Sequence, residues 1–259
     1  MKASACVGVV SLALFLSSCD AFVQFGSRID ELRAAVQRDQ SNVELRYQLA
    51  EEYYWFAQRD VVSFSLVNKY RMGVKLAQEE CDEIFRRDPQ YARAYILKGL
   101  LSSQSRGEAS WRQSLEYLKR AAEVDQALPD PHCAMYEVYL RLEQHKSALS
   151  ALEACIGRLK EPYTPHLPVL SQRLASDYMM DAAELAWRHL KDRERALKWL
   201  RRAVESGLGT WHDWYFSDQS STFQGLNGDP SFRELAEEVG RKHKDIPSMP
   251  MTFQGRSDK

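Results

Sequence analysis

Apolar side chains recur at helical spacing along almost the whole chain, from Ser27 to Lys244, and no segment sustains the alternation of a β-strand. The clearest apolar stripes are Val43, Leu45, Leu49, Tyr53 and Phe56; Leu76, Cys81, Ile84 and Phe85; Leu115, Leu118, Ala121, Ala122 and Val124; and Leu149, Leu152, Ile156 and Leu159. The stripes are separated by helix-ending positions: Asp88-Pro89, Pro129-Asp130-Pro131, Glu161-Pro162 and Gly207. The pattern predicts a series of helices, mostly about 12 to 17 residues long, arranged as hairpins.

Two of these hairpins share one register, in which an aromatic residue is followed by a small residue and then by two apolar ones. The matching positions are Tyr139, Ala148, Leu152 and Cys155 in one hairpin and Trp187, Ala196, Leu200 and Ala203 in the other. Two earlier copies fit with insertions, through Ala94, Gly99, Ser114, Leu118 and Ala121 and through Leu49, Ala50, Tyr53, Ala77, Cys81, Ile84 and Pro89. This register resembles the tetratricopeptide repeat (TPR), a helix pair of about 34 residues.

The resemblance implies an all-α fold of antiparallel helix-hairpin repeats, a TPR-like α-solenoid with a C-terminal capping segment. About four hairpins would occupy residues 42–207, with an insertion at 58–73 that either lengthens the second helix or folds over the groove as a lid. A non-repeating helical bundle, which uses the same apolar spacing, is the alternative.

The end of the chain resembles the closing segment of such arrays, with capping helices expected over 208–244 and a flexible tail over 245–259. Asp229 is expected to cap a helix whose first turn contains Pro230. Phe232, Leu235 and Val239 would then cover the apolar face of the last repeat, as solenoids require.

The first 20 residues read as a targeting segment: Lys2 precedes a short apolar run that is too short to span a bilayer as a helix. The run ends in Leu16-Ser17-Ser18-Cys19, which resembles the bacterial lipobox. That resemblance implies a signal peptide over 1–18, acylation of Cys19, and a lipidated N-terminus with a leading helix over 19–41. Its acyl chains would anchor the protein to the cell membrane or the outer membrane, facing the periplasm. An ordinary secretory signal is the alternative.

Composition and motifs limit the chemistry that the chain offers. The formal charge is −1, so no positive field favours nucleic acid. Motifs for serine hydrolases, zinc peptidases, phosphate loops and dinucleotides are missing, and the six histidines are dispersed. We therefore expect no catalytic residue, no metal and no cofactor. For Cys81, Cys133 and Cys155 the sequence favours burial in the core, and it leaves a bridge between the last two open.

In TPR arrays the first helices of the hairpins line an inner groove, and the resemblance implies that a partner binds there. The positions that would face this groove are Glu44, Tyr47, Glu51, Tyr54, Trp55, Arg93, Ile96, Leu100, Glu137, Arg141, Tyr178, Asp181 and Arg188. Aromatic members of the set would be strong anchors, unless they pack against the insertion instead.

These residues lead to a hypothesis of a membrane-anchored interaction scaffold in the bacterial envelope, not an enzyme, that binds another envelope protein or peptide. The alternative is an accessory lipoprotein of a periplasmic solute transport system, similar to the T-component of tripartite transporters, or a ligand-binding one. An envelope hydrolase is a third hypothesis, which no motif supports.

Overall fold

The computed structural model describes residues 28–59, 67–105, 107–159, 175–207, 215–216 and 222–243, and the regular structure within them is entirely helical. In chain order the α-helices are α1 (28–38), α2 (Val43–Arg59), α3 (Val67–Arg87), α4 (Ala92–Ser103), α5 (Glu108–Val124), α6 (Asp130–Arg141), α7 (His145–Ile156), α8 (Ala175–Glu184), α9 (Arg193–Glu205) and α10 (Pro230–His243). A π-helical turn, Leu185–His189, continues α8, and a short 3₁₀ turn spans Gln224–Leu226.

The chain forms two compact units, which divide between Ala134 and Met135 within α6. The core of the first unit joins side chains from α1, α2, α3 and α4. Its buried members include Ile29, Leu32 and Val36 of α1, Tyr47, Leu49, Tyr53 and Tyr54 of α2, Cys81 and Ile84 of α3, and Leu97 and Leu101 of α4. The leading helix expected before residue 42 is thus α1, which buries one face through its 29, 32 and 36 positions.

Small residues let the paired helices of the first unit approach closely. A Cβ added at Gly73 of α3 would lie 3.0 Å from the Ala57 Cβ and from the Tyr53 carbonyl oxygen of α2. A Cβ added at Gly99 of α4 would lie 2.7 Å from the Cγ of Leu118 in α5. The hairpins α2–α3 and α4–α5 therefore depend on side-chain volume at their crossing points.

The second unit contains the α8–α9 hairpin, whose turn repeats the geometry of the turn before α7. Glu143 and Lys191 both have φ of 56° and both stand five residues before the small residue of the shared register, Ala148 or Ala196. The two turns therefore share one backbone conformation at the same position of the predicted register. Asp192 caps α9 by accepting a hydrogen bond from the Arg195 backbone N–H at 3.0 Å.

The C-terminal helix α10 begins as predicted. Asp229 accepts a hydrogen bond from the Ser231 backbone N–H at 2.9 Å, with Pro230 in the first turn. Phe232, Leu235 and Val239 are all buried, and α10 contacts α9. The capping role expected for these side chains is confirmed.

The insertion predicted at 58–73 lies only partly within the described residues. Residues 67–73 belong to α3, which supports the alternative that the insertion lengthens the second helix of the hairpin. Residues 60–66 lie outside the described residues, as do the predicted signal peptide at 1–18, Cys19, residues 208–214 and the predicted tail at 245–259.

The three cysteines of the helical region are buried, as expected from their apolar positions. Cys81 is a free thiol, whose pKa burial raises to about 12. Cys133 and Cys155 are each disulfide-bonded, which the sequence left open.

Candidate functional site

The candidate site lies where the first helices of two consecutive hairpins meet, in the first unit. Glu44, Tyr47 and Glu51 are three and four residues apart on α2, so they occupy one face of that helix. Helix α4 contacts α2 and brings Arg93 to this face, and Tyr91 directly precedes α4. We call the set Glu44, Tyr47, Glu51, Tyr91 and Arg93 the α2–α4 face.

Arg93 is the centre of the α2–α4 face. Its guanidinium group donates to the Glu44 carboxylate and lies over two rings, 4.7 Å from the centroid of Tyr47 and 5.1 Å from that of Tyr91. The Tyr91 hydroxyl donates to Glu44 Oε2 at 2.7 Å. Ion pair, hydrogen bond and cation–π contacts thus hold the polar groups in one arrangement.

The two carboxylates of the face differ in their electrostatic surroundings. Burial would raise the pKa of Glu44, but the Tyr91 hydrogen bond and the Arg93 charge outweigh it, so this pKa lies below its ordinary value. Burial raises the pKa of Glu51 to about 7; Glu52 and Glu44 add to the rise, and Arg93 opposes it. The ionised form of Glu44 is therefore stabilised by its hydrogen bonds and by Arg93. Ionisation of Glu51 is opposed by burial and by the neighbouring carboxylates.

Four of the predicted groove residues are in the interior, contrary to the expectation that they face a partner. Their exposed fractions are 1% for Tyr47, 3% for Tyr54, 0% for Ile96 and 2% for Tyr178. Helical spacing places a residue on a face, but neighbouring helices decide whether that face is covered. In this conformation the side chains of Tyr54, Ile96 and Tyr178 are part of the interior, and the ring of Tyr47 is covered by Arg93 and Tyr91 on the α2–α4 face.

The remaining predicted residues of the first unit are more accessible. Trp55 and Leu100 are half-buried and pack against the core, while Glu44, Glu51 and Arg93 are half-buried on the α2–α4 face. The structure thus brings together four of the predicted residues, Glu44, Tyr47, Glu51 and Arg93, within one site.

In the second unit the predicted residues are held by neighbours of their own. Asp181 accepts a hydrogen bond from the Tyr136 hydroxyl at 3.0 Å. Arg188 donates to Glu184 at 2.6 Å, one turn earlier on the same helical segment. Glu137 and Arg141 are exposed on α6.

Sequence reasoning missed Tyr91 and a pair of histidines. Tyr91 precedes the helix that carries the apolar pattern, so periodicity has no information about it. His145 and His189, which are far apart along the chain, are in contact in the second unit, with ring centroids 4.0 Å apart and ring planes tilted by 31°. Burial and the neighbouring His145 lower the pKa of His189.

The described residues also bear on metal binding and on membrane insertion. No group of three or more His, Cys, Asp or Glu side chains in this part of the chain is placed to hold a metal ion. Among the same residues, no helix combines the length and the apolar character that a membrane span requires.

Comparison with known proteins identifies the class of fold. No protein-family model matches the chain, and no curated protein matches it. Among solved structures, the chain is similar to MamA, with 19% identity over 72% of this chain and 91% of that one and a TM-score of 0.50. It is also similar to YrrB, described as a TPR protein with an unusual peptide-binding site, with 15% identity over 83% and 93% of the two chains and a TM-score of 0.51.

The chain therefore has the fold of tetratricopeptide-repeat proteins. The predicted fold class, antiparallel helix-hairpin repeats of the TPR-like α-solenoid type, is confirmed, and the alternative of a non-repeating bundle is wrong. Within this fold the α2–α4 face is formed by the first helices of consecutive hairpins.

Proposed function

We propose that this chain is a lipid-anchored protein of a bacterial cell envelope, which binds a protein or peptide segment on the α2–α4 face and performs no chemistry of its own. The observation that carries the binding role is the meeting of Glu44, Tyr47, Glu51 and Arg93 on the first helices of consecutive hairpins. Arginine and tyrosine are enriched among the residues that dominate protein interfaces.

A peptide or protein partner suits this face better than a small molecule. First helices of repeat arrays form extended surfaces, which can follow a partner over several residues. The peptide-binding site described for YrrB concerns a protein with the same fold and supports the same class of partner here.

The proposed location is supported by the sequence at the N-terminus and by the cysteines. Leu16-Ser17-Ser18-Cys19 has the order of a lipobox, directly after a signal-like apolar run. The disulfide-bonded state of Cys133 and Cys155 suits an oxidising compartment such as the periplasm.

Site-specific crosslinking tests the binding face. A photoreactive benzoylphenylalanine replaces Gln48, a half-buried residue of α2 whose amide contacts Glu44, or Glu116, an exposed residue of α5. In membranes of the native host, we expect the position 48 probe to capture a partner that mass spectrometry identifies, and the position 116 probe to capture none. Equal capture from both positions, or capture from position 116 alone, contradicts the binding face. A solute receptor as the captured partner favours the transport accessory role.

Lipidation is tested by substitution of the acceptor cysteine. We expect the mature N-terminal peptide to begin at Cys19 and to carry acyl chains, and Cys19→Ser to abolish incorporation of radiolabelled palmitate. Cys6→Ser, in the apolar run of the signal segment, is the matched control and keeps the label. An unacylated N-terminus at another residue in the wild type would show that the segment is an ordinary secretory signal.

A further inference from the structure

We propose that the α2–α4 face accepts a cationic side chain, a lysine or an arginine, of the partner segment, with Glu51 as its anionic contact. The inference rests on the proposed function, which places partner binding on this face.

Glu51 is a half-buried carboxylate with no ion-paired side chain among the described residues. No hydrogen bond or ion pair joins it to any residue in the described part of the chain, and its carboxylate neighbours are Glu44 and Glu52. By contrast, Glu44 accepts from Tyr91 and Arg93, and Glu52 lies 3.9 Å from Arg28. A partly desolvated carboxylate gains most from an incoming group that brings positive charge.

Tyr47 provides a second and independent observation at the same place. Its side chain is 1% exposed, and none of the residues that the structure describes forms a hydrogen bond with its hydroxyl oxygen. Tyr47 and Glu51 are four residues apart on α2, so their side chains lie on adjacent turns of one face. An ammonium or guanidinium group has several N–H donors, and it can serve the carboxylate and the phenol oxygen together.

The charges around Glu51 favour a cation over an anion. Helix α2 contributes Glu44, Glu51 and Glu52, and α4 contributes Arg93. Arg93 forms an ion pair with Glu44 and cation–π contacts with the rings of Tyr47 and Tyr91, so its positive charge is neutralised within the site. The unmatched charge of the face is negative, and an acidic segment would meet repulsion at Glu51.

Peptide selection tests the chemical class of the partner. A phage library of random dodecapeptides is selected on the full chain, on Glu51→Gln, and on the control Glu116→Gln, which removes an exposed carboxylate of α5. We expect the wild type and the control to enrich peptides that contain lysine or arginine, and Glu51→Gln to lose this enrichment. For a selected arginine peptide, Glu51→Gln and replacement of the arginine by neutral citrulline should each weaken binding by about tenfold or more.

The outcomes separate this inference from the proposed function. Enriched peptides that bind through the α2–α4 face without a basic residue, or with acidic residues, overturn the cationic class and leave the binding face standing. Failure to enrich any peptide, together with failure of the position 48 crosslink, overturns the proposed function itself.

A stability measurement tests the state of Glu51 without any ligand. The pKa of Glu51 is raised to about 7 in the folded chain. Between the ordinary pKa of a glutamate and this raised value, Glu51 is protonated in the folded state and ionised in the unfolded state. Stability therefore falls as pH rises through about 7. We expect Glu51→Gln to raise the melting temperature at pH 8 by about 2–6 °C and to have little effect at pH 4.5. A lower melting temperature at pH 8 would show that Glu51 is a paired structural carboxylate, and it would overturn the inference.

Binding of the arginine peptide should depend on pH in the opposite sense to stability. The groups that face Glu51 are Glu44, Glu52 and Tyr47 on α2 and Tyr91 and Arg93 beside or on α4. Burial raises the pKa of both tyrosines and the pKa of Glu44 is lowered, whereas the pKa of Glu51 is raised to about 7. The peptide should bind about tenfold more weakly at pH 5.5 than at pH 8, and equal affinity at both values would contradict the role of Glu51.

Discussion

Tyr54→Ala is expected to destabilise the first unit by about 3–5 kcal/mol, the usual cost of removing a buried aromatic side chain. The ring is 3% exposed, belongs to the core cluster and lies edge-on to Trp55 with centroids 5.5 Å apart. Its loss leaves a cavity that α2 and its neighbours can fill only partly. Denaturant unfolding followed by circular dichroism measures the change.

Tyr54→Phe is the matched control, because it keeps the ring and removes only the hydroxyl, which interacts with Gln104. We expect it to cost about 0.5–1.5 kcal/mol, the value of one hydrogen bond. If Tyr54→Ala keeps the wild-type unfolding midpoint and loses the crosslink from position 48, Tyr54 contacts the partner directly, and its interior placement does not describe the working protein.

Gly99→Ala is expected to destabilise the α4–α5 hairpin by about 1–3 kcal/mol, because the crossing has no space for a methyl group. The added Cβ would lie 2.7 Å from Cγ and 2.8 Å from Cδ2 of Leu118, which is fully buried and cannot move freely. The same contact carries a buried hydrogen bond, from the Ser114 hydroxyl to the Gly99 carbonyl at 2.7 Å, which fixes the separation of the helices.

Gly240→Ala provides the same chemical change without the close contact. Gly240 lies within α10, and a Cβ added there meets nothing within 4 Å. We expect this variant to gain about 0.5–1 kcal/mol, since alanine favours the helix over glycine. Opposite signs for the two variants, measured by thermal unfolding, would show that packing outweighs helix propensity at Gly99. A gain at both positions would disprove the tight crossing.

Much of the fold could be predicted because the information it needs is local. The 3.6-residue period placed the helices, and the shared register of Ala148 and Ala196 predicted repeated hairpins, whose turns at Glu143 and Lys191 have equal φ values. The cap at Asp229 was equally readable, because an N-cap is decided by a side chain and the backbone two and three residues ahead.

The candidate site was predictable only in part. The register named Glu44, Tyr47, Glu51 and Arg93, and the structure brings them together. The register could not show that other helices cover Tyr54 and Tyr178, because the period of one helix contains no information about the helix that packs on it.

By itself, the sequence determined an all-α chain of paired helices in TPR register, with a capped last helix, because spacing and caps act within a few residues. Only the tertiary structure decided that Arg93 pairs with Glu44, while Glu51 is half-buried and has no ion-paired side chain in the part of the chain that the structure describes. The physical reason is that desolvation and charge pairing depend on groups that come from different helices, and the distance between those helices is decided by packing.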